Sequence, residues 1–294
     1  MMPRYVEPLF RPPSEAGSLI FQITLGCSQN TCTFCGMYKG KQFSIRPVTE
    51  IIEEITGIPE RYKPVIERVF LADGDALVYP FDGLVEILDA LKSSFPQLTR
   101  VGAYASPKSL TTKDPEQLRQ LRNRKLRILY FGLESGDDAT LSAINKRFTS
   151  CEMVQQAIKA REAGIKLSVT AILGLAGRKR SLSHAHATAA WVNRVNPEFF
   201  SLLTLFHRHN DDFIRSLDQC THRDLMLEAR EMLLHLTPAK TILRSNHVSN
   251  FLNLAGSYPK DREWLLADVD TALERARRIP GFLDSVPKYT EEYY

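Results

Sequence analysis

The chain has 294 residues, 44% of them hydrophobic and 24% charged, with a formal charge of +4. A globular core of this size needs no disulfide or metal staple, so any metal it binds is expected to be functional. Five cysteines, three of them within nine residues, exclude a secreted disulfide framework.

The N-terminus, MMPRYVEPLFRPPSEAGS, has prolines and charges where a signal peptide needs an apolar run. No stretch approaches the ~18 apolar residues of a membrane span. The expectation is a cytoplasmic protein in a reducing compartment, without membrane attachment. The mild positive charge permits a nucleic-acid or phosphorylated partner without arguing for one.

In chain order, apolar runs of strand length occur at 19–25, 69–72, 100–105, 127–133, 165–173 and 199–206. Each precedes a segment of helical period. Residues 80–95 place Leu84, Ile87, Leu88 and Leu91 on one face, and 150–163 do the same with Met153, Val154, Ala157 and Ile158. Six strand-then-helix units predict an α/β fold with a parallel sheet and helices outside it. The favoured architecture is a partial (β/α)6 TIM-like barrel with a C-terminal extension; a doubly wound open sheet is the alternative. The expected division is an N-terminal extension over 1–18, a core over 19–210 and a closing extension over 211–294. That extension should hold helices over 223–236 and 262–277 and a strand over 241–244.

The first strand runs into CSQNTCTFC, a C-x4-C-x2-C spacing formed by Cys27, Cys32 and Cys35. Three thiolates so spaced can hold three corners of a cubane cluster, leaving the fourth iron for a small molecule. Two alternatives share the spacing. A plant-type [2Fe–2S] centre needs a fourth cysteine, and Cys151 and Cys220 lie far along the chain. A Cys3His zinc site would draw on His207, His209 or His247, yet no second knuckle appears.

Phe34, just before the last cysteine in a loop that leaves the first strand, resembles the radical S-adenosylmethionine (SAM) superfamily. That superfamily usually has C-x3-C-x2-C, so Asn30 or Thr31 is in effect an extra residue. The resemblance implies a [4Fe–4S] cluster on Cys27, Cys32 and Cys35 with S-adenosylmethionine on its open iron. Asp73-Gly74-Asp75-Ala76, after the second strand, loosely matches the superfamily turn whose backbone and acid receive the cofactor's amino group. This places Gly74 and Asp75 there; read alone, the segment is a plain Asp-Gly turn.

GLESGDDATLSAINK, after the fourth strand, resembles coproporphyrinogen-type and methylthiotransferase-type members. The resemblance sets Glu134 against the ribose and Lys146 against the methionine carboxylate, and Asp137 and Asp138 suit a helix start. In KLSVTAILGLAGRKR it places Thr170 and Gly174 beside the adenosine. Arg178-Lys179-Arg180 stands where the family has an acid, and is either an anion contact or a solvated loop. Tyr104 ends the third strand and either lines the site or stands at its rim.

Of the histidines, His184, His186, His222 and His235 are assigned to structure or surface. His207 and His209, with Arg208, are expected to border the substrate. The polar run 244–250 offers Asn246, His247 and Asn250 as substrate contacts, or else is an Asn/Ser-rich turn. The basic run over 119–127 leads into a strand and so lies opposite the proposed site.

The resulting expectation is reductive cleavage of S-adenosylmethionine to a 5′-deoxyadenosyl radical that takes hydrogen from a small-molecule or RNA substrate. A flavodoxin- or ferredoxin-like low-potential donor would supply electrons. The competing expectations are an iron–sulfur electron carrier and a zinc-stabilised RNA-binding protein. No second cysteine cluster, RNA-binding or cobalamin-binding domain is evident, which argues against sulfur insertion and cobalamin-dependent methyl transfer.

Overall fold

The structure, a computed structural model, describes residues 3–287. Among them are ten strands: β1 (Leu19–Gln22), β2 (Thr24–Leu25), β3 (Ser44–Ile45), β4 (Arg68–Ala72), β5 (Arg100–Ala105), β6 (Leu126–Glu134), β7 (Lys166–Leu173), β8 (Phe199–Thr204), β9 (Thr241–Ser245) and β10 (Leu254–Tyr258). Eight form one sheet in the order β1-β4-β5-β6-β7-β8-β9-β10. The order advances without reversal, as in a partial (β/α) barrel, whereas a doubly wound sheet turns back at a switch point. β10 pairs antiparallel to β9 and ends the sheet.

The predicted first strand over 19–25 divides at Ile23. Thr24 and Leu25 leave the sheet to pair antiparallel with Ile45 and Ser44. The chain therefore departs at Leu25 and returns at Ser44, and the cysteines lie on the excursion between them. β10 had no counterpart in the sequence reading, because Leu254–Tyr258 holds a glycine and a serine and shows no continuous apolar run.

The chain forms two compact units. The first takes in the chain up to Asn30, Met37–Phe131 and Gln155–Leu167; the second takes in Thr31–Gly36, Gly132–Val154 and Ser168 onward.

In the first unit β1, β4 and β5 are parallel neighbours, in register at Leu19, Val69 and Val101. The helix Phe81–Ser94 buries Leu84, Ile87, Leu88 and Leu91, the face its period predicts. Helices Pro107–Thr111 and Pro115–Asn123 begin with capping boxes on Ser106 and Asp114, each followed by proline at the first helical position. Leu118 and Leu121 turn the second of these inward.

The second unit has β7, β8 and β9 parallel, with Thr170 beside Ser201 and Phe200 beside Leu243. Its long helices are Gly177–Val195, His222–His235 and Arg262–Arg278. Thr221 and Asp224 form the capping box of the middle one.

A buried acid organises the inside of the first unit. Glu15 follows two prolines in a short 3-10 turn and lies against Gly102 of β5, where a Cβ would come within 3.1 Å of Oε1. Its Oε1 accepts from Tyr130 Oη at 2.5 Å and from the Arg100 guanidinium at 2.7 Å, and Oε2 accepts from Ser18 Oγ. The N-terminal extension is thereby tied to two central strands. Glu15→Ala is expected to lower unfolding free energy by about 2–4 kcal/mol, since it strips a buried pair of one partner while Arg100 keeps some access to water. Urea denaturation of the apoprotein would measure this, with Glu15→Gln giving a smaller loss.

Candidate functional site

In the first unit the cysteine loop starts and ends on one buried carboxylate. Asp73 Oδ2 accepts from Gly26 N at 2.8 Å and from Gln22 Nε2 at 3.1 Å, and lies 2.7 Å from the Lys41 ammonium. Lys41 also donates to the carbonyls of Val6 and Pro8 at 2.6 and 3.0 Å. Gly26 has φ +70°, and a Cβ on it would strike the Lys41 carbonyl at 2.8 Å. Glycine alone fits that turn.

Gly74 donates its N–H to the Gly26 carbonyl at 3.1 Å, and its own carbonyl lies 3.7 Å from Cys27 Sγ. A Cβ at Gly74 would lie 2.8 Å from that of Cys27 and 2.7 Å from the buried Tyr38 ring. Asp75 is buried and accepts from Ser28 Oγ, from Ser106 Oγ at 2.7 Å and from Ser106 N at 2.9 Å. It fixes both the loop and the cap of the helix after β5. Tyr104 packs edge-on against Phe70 and Tyr130, with ring centroids 5.1 and 6.1 Å away. Burial pushes its phenol up, and the charges of neighbouring groups add to the shift.

The rest of the loop belongs to the second unit, where Cys32 is buried and Phe34 and Cys35 are half-buried. Thr33 N donates to the Ile144 carbonyl at 3.0 Å, and Asn145 Nδ2 donates to the Thr31 carbonyl at 3.1 Å. Asn210, buried, donates to the carbonyls of Phe34 at 2.7 Å and Phe206 at 3.1 Å. A Cβ at Gly36 would overlap the Arg208 carbonyl oxygen at 1.4 Å, so the chain passes there only as glycine. His207 and His209 follow β8 in the same segment.

Glu134 and Lys146, which the resemblance pairs with the two ends of one cofactor, stand 3.1 Å apart. Glu134 closes β6 at φ +64°, and its carboxylate folds over Gly132, where a Cβ would meet Oε1 at 2.2 Å. Asp137 caps the next helix through Thr140 and takes three bonds from Arg180, at 2.9, 3.0 and 3.3 Å. Partial burial raises this carboxyl, and the bonds from Thr140 and Arg180 more than offset that and hold it below the usual range. Arg178 pairs with Asp218 at 2.9 Å. The basic tripeptide is therefore the first turn of helix Gly177–Val195, with both of its arginines met by acids.

Gly174, at φ +80°, donates its N–H to Glu228 Oε1 at 2.8 Å. Glu228 is fully buried; Ser181 Oγ donates to its other oxygen at 2.5 Å, and His184 Nε2 lies 3.6 Å from Oε1. Burial pushes Glu228 up, against the pull of His184 and of those hydrogen bonds. His184 reaches Ser135 Oγ at 2.8 Å, so one buried chain of contacts joins the turn after β6 to the turn after β7. Thr170 is half-buried on β7.

Asn250 donates to the Leu202 carbonyl at 2.7 Å and Ser245 Oγ at 3.0 Å, and accepts from Thr204 Oγ1 at 2.9 Å. These bonds tie its turn to β8. His247 contacts Ser249 Oγ at 2.8 Å and is pushed down by burial, while Asn246 is exposed.

Sequence reasoning missed Asp73, Gly36, Asn210 and Glu228. Glycine after the last cysteine was a visible signal for Gly36. The other three act on partners remote in sequence and leave no local pattern.

Comparisons with known proteins give the family and the fold. Residues 21–187 match the family model for the Radical SAM superfamily. A proposed methylthiotransferase of Methanocaldococcus jannaschii is 27% identical over 153 residues, which are 49% of this chain and 32% of that protein. The chain thus spans about a third of the curated relative's length. Coproporphyrinogen III oxidase of Escherichia coli, a radical SAM enzyme, superposes with a TM-score of 0.56 at 15% identity, covering 71% of this chain and 50% of that one. Methylornithine synthase gives 0.54 at 13% identity, covering 93% and 75%. At such identities the likeness establishes the fold. Among the described residues no helix is long and apolar enough to cross a membrane.

Two outcomes follow from the first unit. Asp73→Ala should cost about 3–5 kcal/mol in denaturant unfolding, because Lys41 is left buried and uncompensated. Lys113 gives a pH signature: burial pushes it down to about 8, against the attraction of Asp75, while the unfolded lysine titrates near 10.5. Between those values the unfolded chain holds more protons, so folded-state stability rises with pH. Lys113→Met should lower the gain in stability between pH 7.5 and pH 10 relative to the unsubstituted chain, as read by urea midpoints of the apoprotein at the two pH values.

Proposed function

This chain belongs to the radical SAM superfamily, and on that footing we propose that it cleaves S-adenosylmethionine reductively on a [4Fe–4S] cluster held by Cys27, Cys32 and Cys35. The observation that carries the reading is Gly74. It is bare of a side chain where a Cβ would meet both Cys27 and Tyr38, on a loop whose buried anchors keep the thiol region in shape. Three thiolates and no fourth cysteine nearby in sequence suit a cubane with one iron open. When bound, the cluster and its cofactor supply an electron and a 5′-deoxyadenosyl radical that takes a hydrogen atom from the substrate.

The chain's own groups bind and orient. Asp75, held by three donors, offers with Gly74 a fixed acceptor region for the amino group. Lys146 would turn its charge to the methionine carboxylate, and Glu134 its oxygens to the ribose diol. Thr170 and Gly174 would border the adenosine, with the Gly174 backbone kept in place by Glu228. Phe34 and Tyr104 exclude water from the reacting region. A flavodoxin- or ferredoxin-like donor would reduce the cluster. A small-molecule or RNA substrate would meet Asn246 and His247, with Asn250 supporting their turn.

Anaerobic reconstitution tests the reading. Iron and sulfide in [4Fe–4S] stoichiometry, with 5′-deoxyadenosine formed under dithionite, is the expected result. Replacing any of the three cysteines by alanine should abolish the product. Glu134→Ala should keep the cluster and weaken S-adenosylmethionine binding about tenfold. An intact cluster with no product would point to an electron carrier, and zinc without iron to a structural zinc protein; either result overturns the proposal.

A further inference from the structure

Apart from the cysteine loop, the second unit brings together three side chains with metal-binding atoms. His186 lies on helix Gly177–Val195; Glu231 and His235 lie one turn apart on helix His222–His235. His186 Nε2 is 3.3 Å and His235 Nε2 is 3.6 Å from the same oxygen, Glu231 Oε2. The rings meet edge to face with centroids 4.2 Å apart, and the three ligand atoms all lie within 4.8 Å of one another.

In a tetrahedral zinc site, bonds of about 2.0–2.2 Å set neighbouring ligand atoms about 3.3–3.6 Å apart. Two of the three edges already have that length, and a small rotamer adjustment brings in the third. The surroundings permit a cation. Arg230 faces the other Glu231 oxygen at 3.9 Å and is bonded to Asp270 at 2.6 and 3.3 Å, which occupies its charge. Exposures of 48% for each histidine and 27% for the glutamate leave a path from solvent.

We propose that His186, Glu231 and His235 form a second metal site, for a zinc-class divalent ion with water as fourth ligand. Two imidazoles and one carboxylate suit zinc; magnesium and calcium prefer all-oxygen sets. The ion would bridge the two helices that Ser181 and Glu228 already join in the interior, clamping the helix pair that holds the Gly174 backbone. This inference rests on none of the cysteines and stands whether or not the chain cleaves S-adenosylmethionine.

The cluster-loaded protein is treated with chelator, desalted and titrated anaerobically with Zn2+ in a calorimeter. One saturable equivalent with Kd of about 10 μM or tighter is expected, together with a rise of several degrees in melting temperature. His186→Ala plus His235→Ala should remove that equivalent and the thermal shift while leaving iron and sulfide content unchanged; Glu231→Gln should weaken binding at least tenfold. Co2+ at the site should give a tetrahedral ligand-field spectrum lacking thiolate charge transfer. No saturable zinc up to 1 mM, an equivalent that persists in the double variant, or a thiolate band that persists there would each overturn the site.

Discussion

A loop that presents thiolates to a metal must be rigid although it has almost no secondary structure of its own, and here the rigidity begins with one charge. Asp73 is fully buried, so its carboxylate has to be neutralised by the protein. Lys41 and Gly26, near the two ends of the excursion, are among its few partners. Folding that satisfies Asp73 thus closes the loop, and a loop left open strands a charge in the interior. Removing two ions from water cancels much of their attraction, so what this pair contributes is mainly a single permitted geometry. That geometry offsets the chain entropy of a long irregular segment.

In both units the chain omits side chains where backbone or a functional group needs the room. Gly74 yields to Cys27 and Tyr38, Gly36 to the Arg208 carbonyl, and Gly132 to the carboxylate of Glu134. The last case couples two costs. Glu134 adopts a left-handed backbone that an ordinary side chain disfavours by about 1 kcal/mol. The ion pair with Lys146, both residues being largely buried, holds it there. A strand that ended conventionally would aim this acid elsewhere and leave Lys146 without its carboxylate.

The strands were legible because parallel strands covered on both faces read as unbroken apolar runs. Arg100–Ala105 matches its prediction residue for residue, and 165–173 differs by one position. Glu134 and Lys146 were both named from one local motif, but as contacts of different cofactor groups, and their ion pair with each other was not foreseen. Glu228 was not named: its function is defined by the Gly174 N–H, 54 positions away, and within its own helix it is an unremarkable acid. Asn210 reaches 176 positions back to Phe34, and Asp73 looked like half of an Asp-Gly turn. Arg178-Lys179-Arg180 is solvated, as one of its two readings had it, but its acid partners were hidden for a related reason. A basic run suggests solvent or an anion until Asp137 and Asp218 are seen to meet its two arginines. Local patterns specify elements; the pairing of buried charges is settled only when distant segments are brought together.

The departure from the usual cysteine spacing can be judged in the same terms. A residue merely tolerated between Cys27 and Cys32 would leave slack and unpartnered backbone. Instead Asn30 donates its side-chain amide to the Tyr38 carbonyl at 2.7 Å, and the Thr31 carbonyl accepts from Asn145 at 3.1 Å. Both candidates for the extra position are thus held. The second half of the motif keeps its ordinary C-x2-C interval, with the Thr33 N–H on the Ile144 carbonyl and the Phe34 carbonyl on Asn210. Length has been added to an interval whose extra backbone and side chain find polar partners of their own, so the longer loop is no looser.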